Sequence, residues 1–304
     1  MKNYSRRLSL ITMLIAGLQN ISTCLAGELE QKQMLVNGVS LSYIEQGKGI
    51  PVVFVHGAFS DLRVWEPQRK AVAKQFRFIA FTQRYFGINK WTDSGKQYSQ
   101  VTHAADLAEF IRKLGVGPVY IVGRSYGATI AIRMALQYPE LVRGVIAQEP
   151  TIAFAVAMSS PVNKSILKKE RSGLSLARRA AKKGNIPEAT RLFADWTNDQ
   201  PGGFDKLPSE TRSIHLDNGR TIALHFSAPR PPKVRCADLA QLKSPLAITT
   251  GELTRPFFRI LAQAAHNCMP GSQLIQIPGA RHAATSQNPE AFNNALINFL
   301  KNHR

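Results

Sequence analysis

Hydrophobic and polar positions along the chain fall into two alternating patterns. Short runs apolar on both faces recur at Pro51-Val52-Val53-Phe54-Val55 and at residues 78–81, 119–122, 145–147 and 246–249, with a further short strand over 273–277. Such runs fit buried parallel strands, because neither face can meet water. Between them, apolar residues three and four apart predict helices over 104–114, 128–137, 259–265 and 291–300. An earlier pair of strands within 33–43 turns at Asn37-Gly38, a dipeptide suited to the positive φ of a tight hairpin. Strands alternating with helices place the chain in the α/β class, with a doubly wound, mostly parallel sheet covered on both faces.

One stretch breaks the alternation. Residues 151–237 contain no buried-strand run and turn helical and basic: Lys164, Lys168, Lys169, Arg171, Arg178, Arg179, Lys182, Lys183 and Arg191 stand against Glu170 and Glu188. Leu174, Leu176, Ala177, Ala180 and Ala181 are interleaved, which makes the segment amphipathic. Asn185-Ile186-Pro187-Glu188 ends one helix and starts the next. The segment reads as a helical lid inserted between two strands of a core formed by residues 27–150 and 238–304.

The first 26 residues read as a separate unit. Lys2, Arg6 and Arg7 precede a short apolar run over 8–18, and Cys24-Leu25-Ala26 gives a small-x-small cleavage pattern before Gly27. The run falls short of the roughly 20 residues that span a bilayer. A cleaved signal peptide, and export to the periplasm or the outside, is the expectation. Lipoprotein anchoring through Cys24 ranks below it.

Charge and cysteines add less. The formal net charge of +19 attracts anionic partners, but no nucleic-acid-binding signature accompanies it. Solubility is the first reading of that charge, and weak association of the basic lid with anionic surfaces the second. Cleavage would leave Cys236 and Cys268, in neither a CxxC nor a metal-ligand spacing. They are expected as free or buried thiols, with pairing left open, and no metal or cofactor is assigned.

The sharpest motif is Gly123-Arg124-Ser125-Tyr126-Gly127, entered from an apolar strand and left into a helix. A tight strand-to-helix turn forces the serine out above the sheet, as a nucleophile requires. A base must take its proton. His282 follows the last strand in Pro278-Gly279-Ala280-Arg281-His282, at the carboxyl edge of the sheet where ligands bind in such folds. His56 suits a structural or oxyanion-loop role, and His103, His215, His225, His266 and His303 read as surface or capping residues. The acid is less direct. After strand 246–249, where many hydrolases have Gly-x-x-Asp, the chain reads Gly251-Glu252-Leu253-Thr254, and threonine carries no charge. Glu149 and Glu252 are the two candidates. An oxyanion hole is expected from the backbone N–H groups of Ala58 and Tyr126. Phe59, Trp65, Tyr126, Phe154, Phe193 and Trp196 are expected to shape an apolar pocket.

Over residues 33–304 the chain resembles the α/β-hydrolase superfamily. The resemblance rests on Phe54-Val55-His56-Gly57-Ala58 with Trp65, on Val122-Gly123-Arg124-Ser125-Tyr126-Gly127-Ala128, and on Pro278-Gly279-Ala280-Arg281-His282 with Asn288-Pro289-Glu290-Ala291-Phe292. It implies a Ser-His-acid triad. Some haloalkane dehalogenases and zearalenone lactonases carry a Glu as acid at the place of Glu149, which ranks it above Glu252. Dehalogenases and epoxide hydrolases use Asp as nucleophile, so Ser125 points away from both. The stretch Gln83-Arg84-Tyr85-Phe86-Gly87 departs from the Asp-x-Arg-Gly-x-Gly of many relatives. The implied activity is hydrolysis of a small or medium carboxylic ester or lactone. Amide or C–C hydrolysis, haloperoxidase-like chemistry, and non-catalytic ligand binding are the rivals.

Overall fold

The computed structural model describes residues 29–304, apart from 89, 90, 92 and 230. The segment 1–26, expected to be a signal peptide, lies with Cys24 outside the described residues.

Eight strands form one sheet in the order β1-β2-β4-β3-β5-β6-β7-β8. β1 (Lys32–Val36) and β2 (Val39–Gln46) make the hairpin, with Asn37 and Gly38 both at positive φ. β2 runs antiparallel to β4, and the remaining pairs are parallel: β3 (Pro51–Val55), β4 (Arg77–Phe81), β5 (Val119–Arg124), β6 (Val142–Gln148), β7 (Leu246–Gly251) and β8 (Gln273–Ile277). Core helices are α1 (Glu66–Ala73), α2 (Gln100–Leu114) and α3 (Tyr126–Gln137). Helices α4 (Phe154–Ala157), α5 (Pro161–Ser172), α6 (Ser175–Lys182), α7 (Ile186–Thr197), α8 (Ser209–Asn218) and α9 (Ile222–Ser227) follow β6 and precede a short helix that leads into β7. α10 (Cys236–Leu239), α11 (Pro256–Cys268), α12 (Ala284–Gln287) and α13 (Pro289–Asn302) complete the chain.

The alternation of β3 explains the two-sided burial. Val53 and Val55 pack with residues of α2, α3 and α11, whereas Val52 and Phe54 pack on the opposite face with residues of α1 and α13. All are fully buried, so a charge at any of them would sit in a closed apolar layer.

Two features tie the inserted helices to the core. Asn218 of α8 is buried; its Nδ2 donates to Asp61 Oδ2 at 2.7 Å and its Oδ1 accepts from the Gly87 amide at 2.6 Å. On the other side Arg255, after β7, pairs with Glu170 of α5 at 2.6 Å and lies over the Trp196 ring at 4.3 Å. The stretch 83–87 is also accounted for: Arg84 makes a two-pronged buried ion pair with Asp106 of α2, at 2.7 and 2.8 Å, that pins the loop after β4.

The cysteines correct an expectation. Cys236 and Cys268 form a disulfide with Cα atoms 4.9 Å apart, joining α10 to the end of α11. They lie 32 positions apart in the chain, and the neighbourhood exists only once β7 and α11 have folded.

Candidate active site

Ser125 stands at the junction of β5 and α3 with φ 54°, a left-handed conformation that costs energy for any residue other than glycine. Its neighbours show why the turn needs glycines. A Cβ at Gly127 would lie 2.2 Å from the Val55 carbonyl oxygen, and one at Gly123 would lie 2.6 Å from the Ala128 Cα. Both clashes are with backbone, which has nowhere to move. The Ser125 amide donates to the Gln148 carbonyl at 2.7 Å, locking the elbow to β6.

Glu149 follows directly at the end of β6, also left-handed at φ 48°, and is fully buried. One carboxylate oxygen accepts the Gly251 amide at 2.9 Å and the other takes His282 Nδ1 in a short hydrogen bond. Gly251 must be a glycine here, since a Cβ would stand 2.3 Å from the Arg281 carbonyl oxygen. The His282 carbonyl accepts from Gln148 Nε2 at 2.9 Å, and its ring stacks on Phe258 at 3.7 Å. Burial pushes the imidazole below its ordinary value, with Arg124 and Arg255 acting in the same sense and the Glu149 carboxylate opposing. At neutral pH the ring is therefore uncharged. With Nδ1–H donated to Glu149, Nε2 carries the free lone pair.

The other carboxylate candidate is engaged elsewhere. Glu252 Oε2 accepts the Gly279 amide at 2.7 Å and shapes the exposed turn before His282. Thr254, in the place where an aspartate was sought, is buried with its hydroxyl unpartnered and reaches neither His282 nor Glu149. The difference is one of strand ends: Glu149 leaves a central strand, whereas Glu252 sits on a turn pointing outward.

Ser125 and His282 line one small cavity with Gly57, Ala58, Phe59 and Arg124 from the core, and with Phe193 and His215 from α7 and α8. Ala58 donates its amide to no described backbone acceptor, and Tyr126, opening α3, has no intrahelical acceptor for its own. Of the aromatics expected in the pocket, Phe59 and Phe193 belong there, edge to face at 4.5 Å. Trp65, Phe154 and Trp196 do not. Trp65 is fully buried against Phe54 beneath the other sheet face. Phe154 packs on Phe257 and under Arg171, and Trp196 fills the space between Phe257 and Arg255 while donating to the Glu170 carbonyl. Trp65 fills the layer under α1 and α13, and Phe154 and Trp196 satisfy the packing of α5, α7 and α11, roles that sequence spacing cannot separate from pocket lining. The Tyr126 ring turns away into a cluster with Tyr98, His103 and His225.

Three histidines expected at the surface are instead inside or half-buried. His103 Nδ1 lies 2.9 Å from the Tyr126 hydroxyl, His215 Nδ1 lies 3.0 Å from the Phe59 carbonyl, and His225 contacts Phe59 and Phe193. Burial pushes them down to about 3, about 4 and about 4 respectively. His56 keeps its structural role, with Nδ1 donating to the Gly57 carbonyl and Nε2 accepting the Gln83 amide. The residue that sequence reasoning passed over is Arg124, whose side chain lines the cavity beside the nucleophile.

Comparison with known proteins agrees with this fold. Residues 50–179 match the family model described as alpha/beta hydrolase fold. The chain is 28% identical over 272 residues, covering 87% of it and 93% of the relative, to 2-(acetamidomethylene)succinate hydrolase of Mesorhizobium japonicum. A meta-cleavage product hydrolase from Pseudomonas fluorescens superposes with a TM-score of 0.68 at 18% identity, covering 90% of this chain and 98% of that one. A thermophilic esterase from Thermogutta terrifontis gives 0.67 at 22%, covering 90% and 99%. The sheet order, the strained serine between its two glycines, and these likenesses converge: the chain belongs to the α/β-hydrolase superfamily and is an enzyme of the hydrolase type.

Proposed function

We propose that the protein is a serine hydrolase cleaving a small or medium carboxylic ester or lactone through an acyl-enzyme. The observation that carries this reading is the buried Glu149–His282 pair, which leaves an uncharged Nε2 facing the same cavity as Ser125. Ser125 Oγ attacks the carbonyl carbon while His282 Nε2 takes its proton. The Glu149 carboxylate stabilises the imidazolium so formed, and the amides of Ala58 and Tyr126 receive the oxyanion. His282 then gives its proton to the leaving alkoxide. Water, deprotonated by the same nitrogen, attacks the acyl carbon and releases the acid with Ser125 restored. The inserted helices act as a lid, with Phe59 and Phe193 as the apolar wall.

Turnover of p-nitrophenyl esters together with labelling of Ser125 by a fluorophosphonate tests the reading. A protein that hydrolyses no ester and takes no label would overturn it. Amide hydrolysis on the same residues is the second reading, favoured by the acetamido group in the name of the Mesorhizobium relative. Export is proposed from the opening segment, and the Cys236–Cys268 bridge, a bond of oxidising compartments, supports it. The exposed Arg178, Arg179, Lys182 and Lys183 of the lid support weak association with anionic surfaces.

A further inference from the structure

Arg124 separates Gly123 from the nucleophile, and its guanidinium offers five N–H donors in a rigid fork. Among the described residues none accepts from it: no hydrogen bond, ion pair or ring face reaches the group. Two arginines elsewhere in the molecule are each held by a carboxylate. Arg84 is held by Asp106 and Arg255 by Glu170. Glu149 is the attractive charge acting on Arg124, but both its oxygens already serve Gly251 and His282.

Arg124 is half-buried, and a charge partly withdrawn from water without a partner is unfavourable, so its place in a reactive cavity calls for a ligand that supplies the partner. Burial lowers the guanidinium to about 10, with Glu149 opposing, and it remains a full cation at neutral pH. Ser60 Oγ, buried on the same cavity, also has no hydrogen-bond partner. His215 brings no competing positive charge, since it is pushed down to about 4 by burial first and by Arg124 next. Helix α6 carries Arg178, Arg179 and Lys182 on a chain of net charge +19, a field that attracts anions.

We infer that the substrate carries a carboxylate close to its scissile carbonyl, received by the Arg124 fork with the Ser60 hydroxyl, so that the chemical class is a half-ester or half-amide of a short dicarboxylic acid. A carboxylate matches the guanidinium in two parallel hydrogen bonds, a geometry lysine cannot reproduce. Arg124 and Ser125 line the same small cavity, so the acyl chain that joins the two groups is short. The inference rests on the serine-hydrolase reading and specifies which acyl group that site takes.

The test compares p-nitrophenyl butyrate with mono-p-nitrophenyl glutarate, equal in leaving group and near in size but different in charge. The full chain is expected to prefer the charged ester by tenfold or more in kcat/KM. Arg124→Gln should cut that preference at least tenfold, chiefly through KM, and Arg124→Lys should restore part of it. No preference in the native chain, or an unchanged preference in Arg124→Gln, would overturn the inference. So would equal losses on both esters, which would make Arg124 a counter-charge for Glu149. Should Arg124→Gln fail to fold, the preference of the native chain decides. If neither ester is hydrolysed, the ester reading itself fails, and calorimetry with glutarate then tests the carboxylate site alone. Binding to the native chain that Arg124→Gln abolishes supports the site, and absent or equal binding overturns it.

Discussion

Replacing Glu149 with glutamine removes one charge and almost no volume. In the native site the two carboxylate oxygens face two N–H donors, the Gly251 amide and His282 Nδ1. A carboxamide has one oxygen to offer. If that oxygen stays on Gly251, the NH2 group meets Nδ1, and the imidazole must take the tautomer protonated at Nε2, which cannot accept from Ser125. If the oxygen turns to Nδ1, two donors face each other at Gly251 in a fully buried place, a cost of about 1–3 kcal/mol. In both arrangements the imidazolium loses its counter-charge during attack. Loss of the charged acid of such a triad elsewhere lowers kcat about 10⁴-fold, so a fall in kcat/KM of about 10³–10⁴ is expected here, or about 4–5.5 kcal/mol. Glu252→Gln touches only the Gly279 amide on an exposed turn and should stay within about threefold of the native rate. The assay is p-nitrophenyl ester hydrolysis from pH 5 to 9, with thermal melts to confirm that both variants are folded. A Glu149→Gln enzyme within tenfold of native, or a larger loss in Glu252→Gln, would refute the reasoning.

Two further outcomes follow from buried groups. His56 and His103 are buried and uncharged, pushed by burial down to about 4 and about 3, whereas an unfolded imidazole titrates near 6.5. The unfolded chain binds protons first as pH falls below about 6.5, so each residue should cost about 1 kcal/mol of stability between pH 7.5 and 5.5; an equal or higher urea midpoint at pH 5.5 would contradict this. The Cys236–Cys268 bridge closes a loop across 32 positions, worth about 3.5 kcal/mol by loop entropy. Cys236→Ser with Cys268→Ser should lower the thermal midpoint by several degrees, and an unchanged melt would show that the bridge constrains little.

Much of this molecule was legible in its sequence because the signals are local. Runs apolar on both faces can be only interior strands, and Asn37-Gly38 can hardly do other than turn. A serine between glycines at a strand-to-helix junction has one geometry available, and the structure gives it, with backbone 2.2 Å from where a Gly127 side chain would begin. Other features depend on distances between segments far apart in the chain. Glu149 and Glu252 looked alike along the sequence; only the sheet, which sets β6 beside β7 and brings the turn after β8 over both, gives the first to His282 and the second to Gly279. Trp65, Phe154 and Trp196 carry the same composition as pocket aromatics but point into layers between elements. Cys236 and Cys268 needed a folded α11 to meet. Arg124 shows the division most clearly: the sequence places it next to the nucleophile, and the tertiary structure alone leaves its charge without a partner.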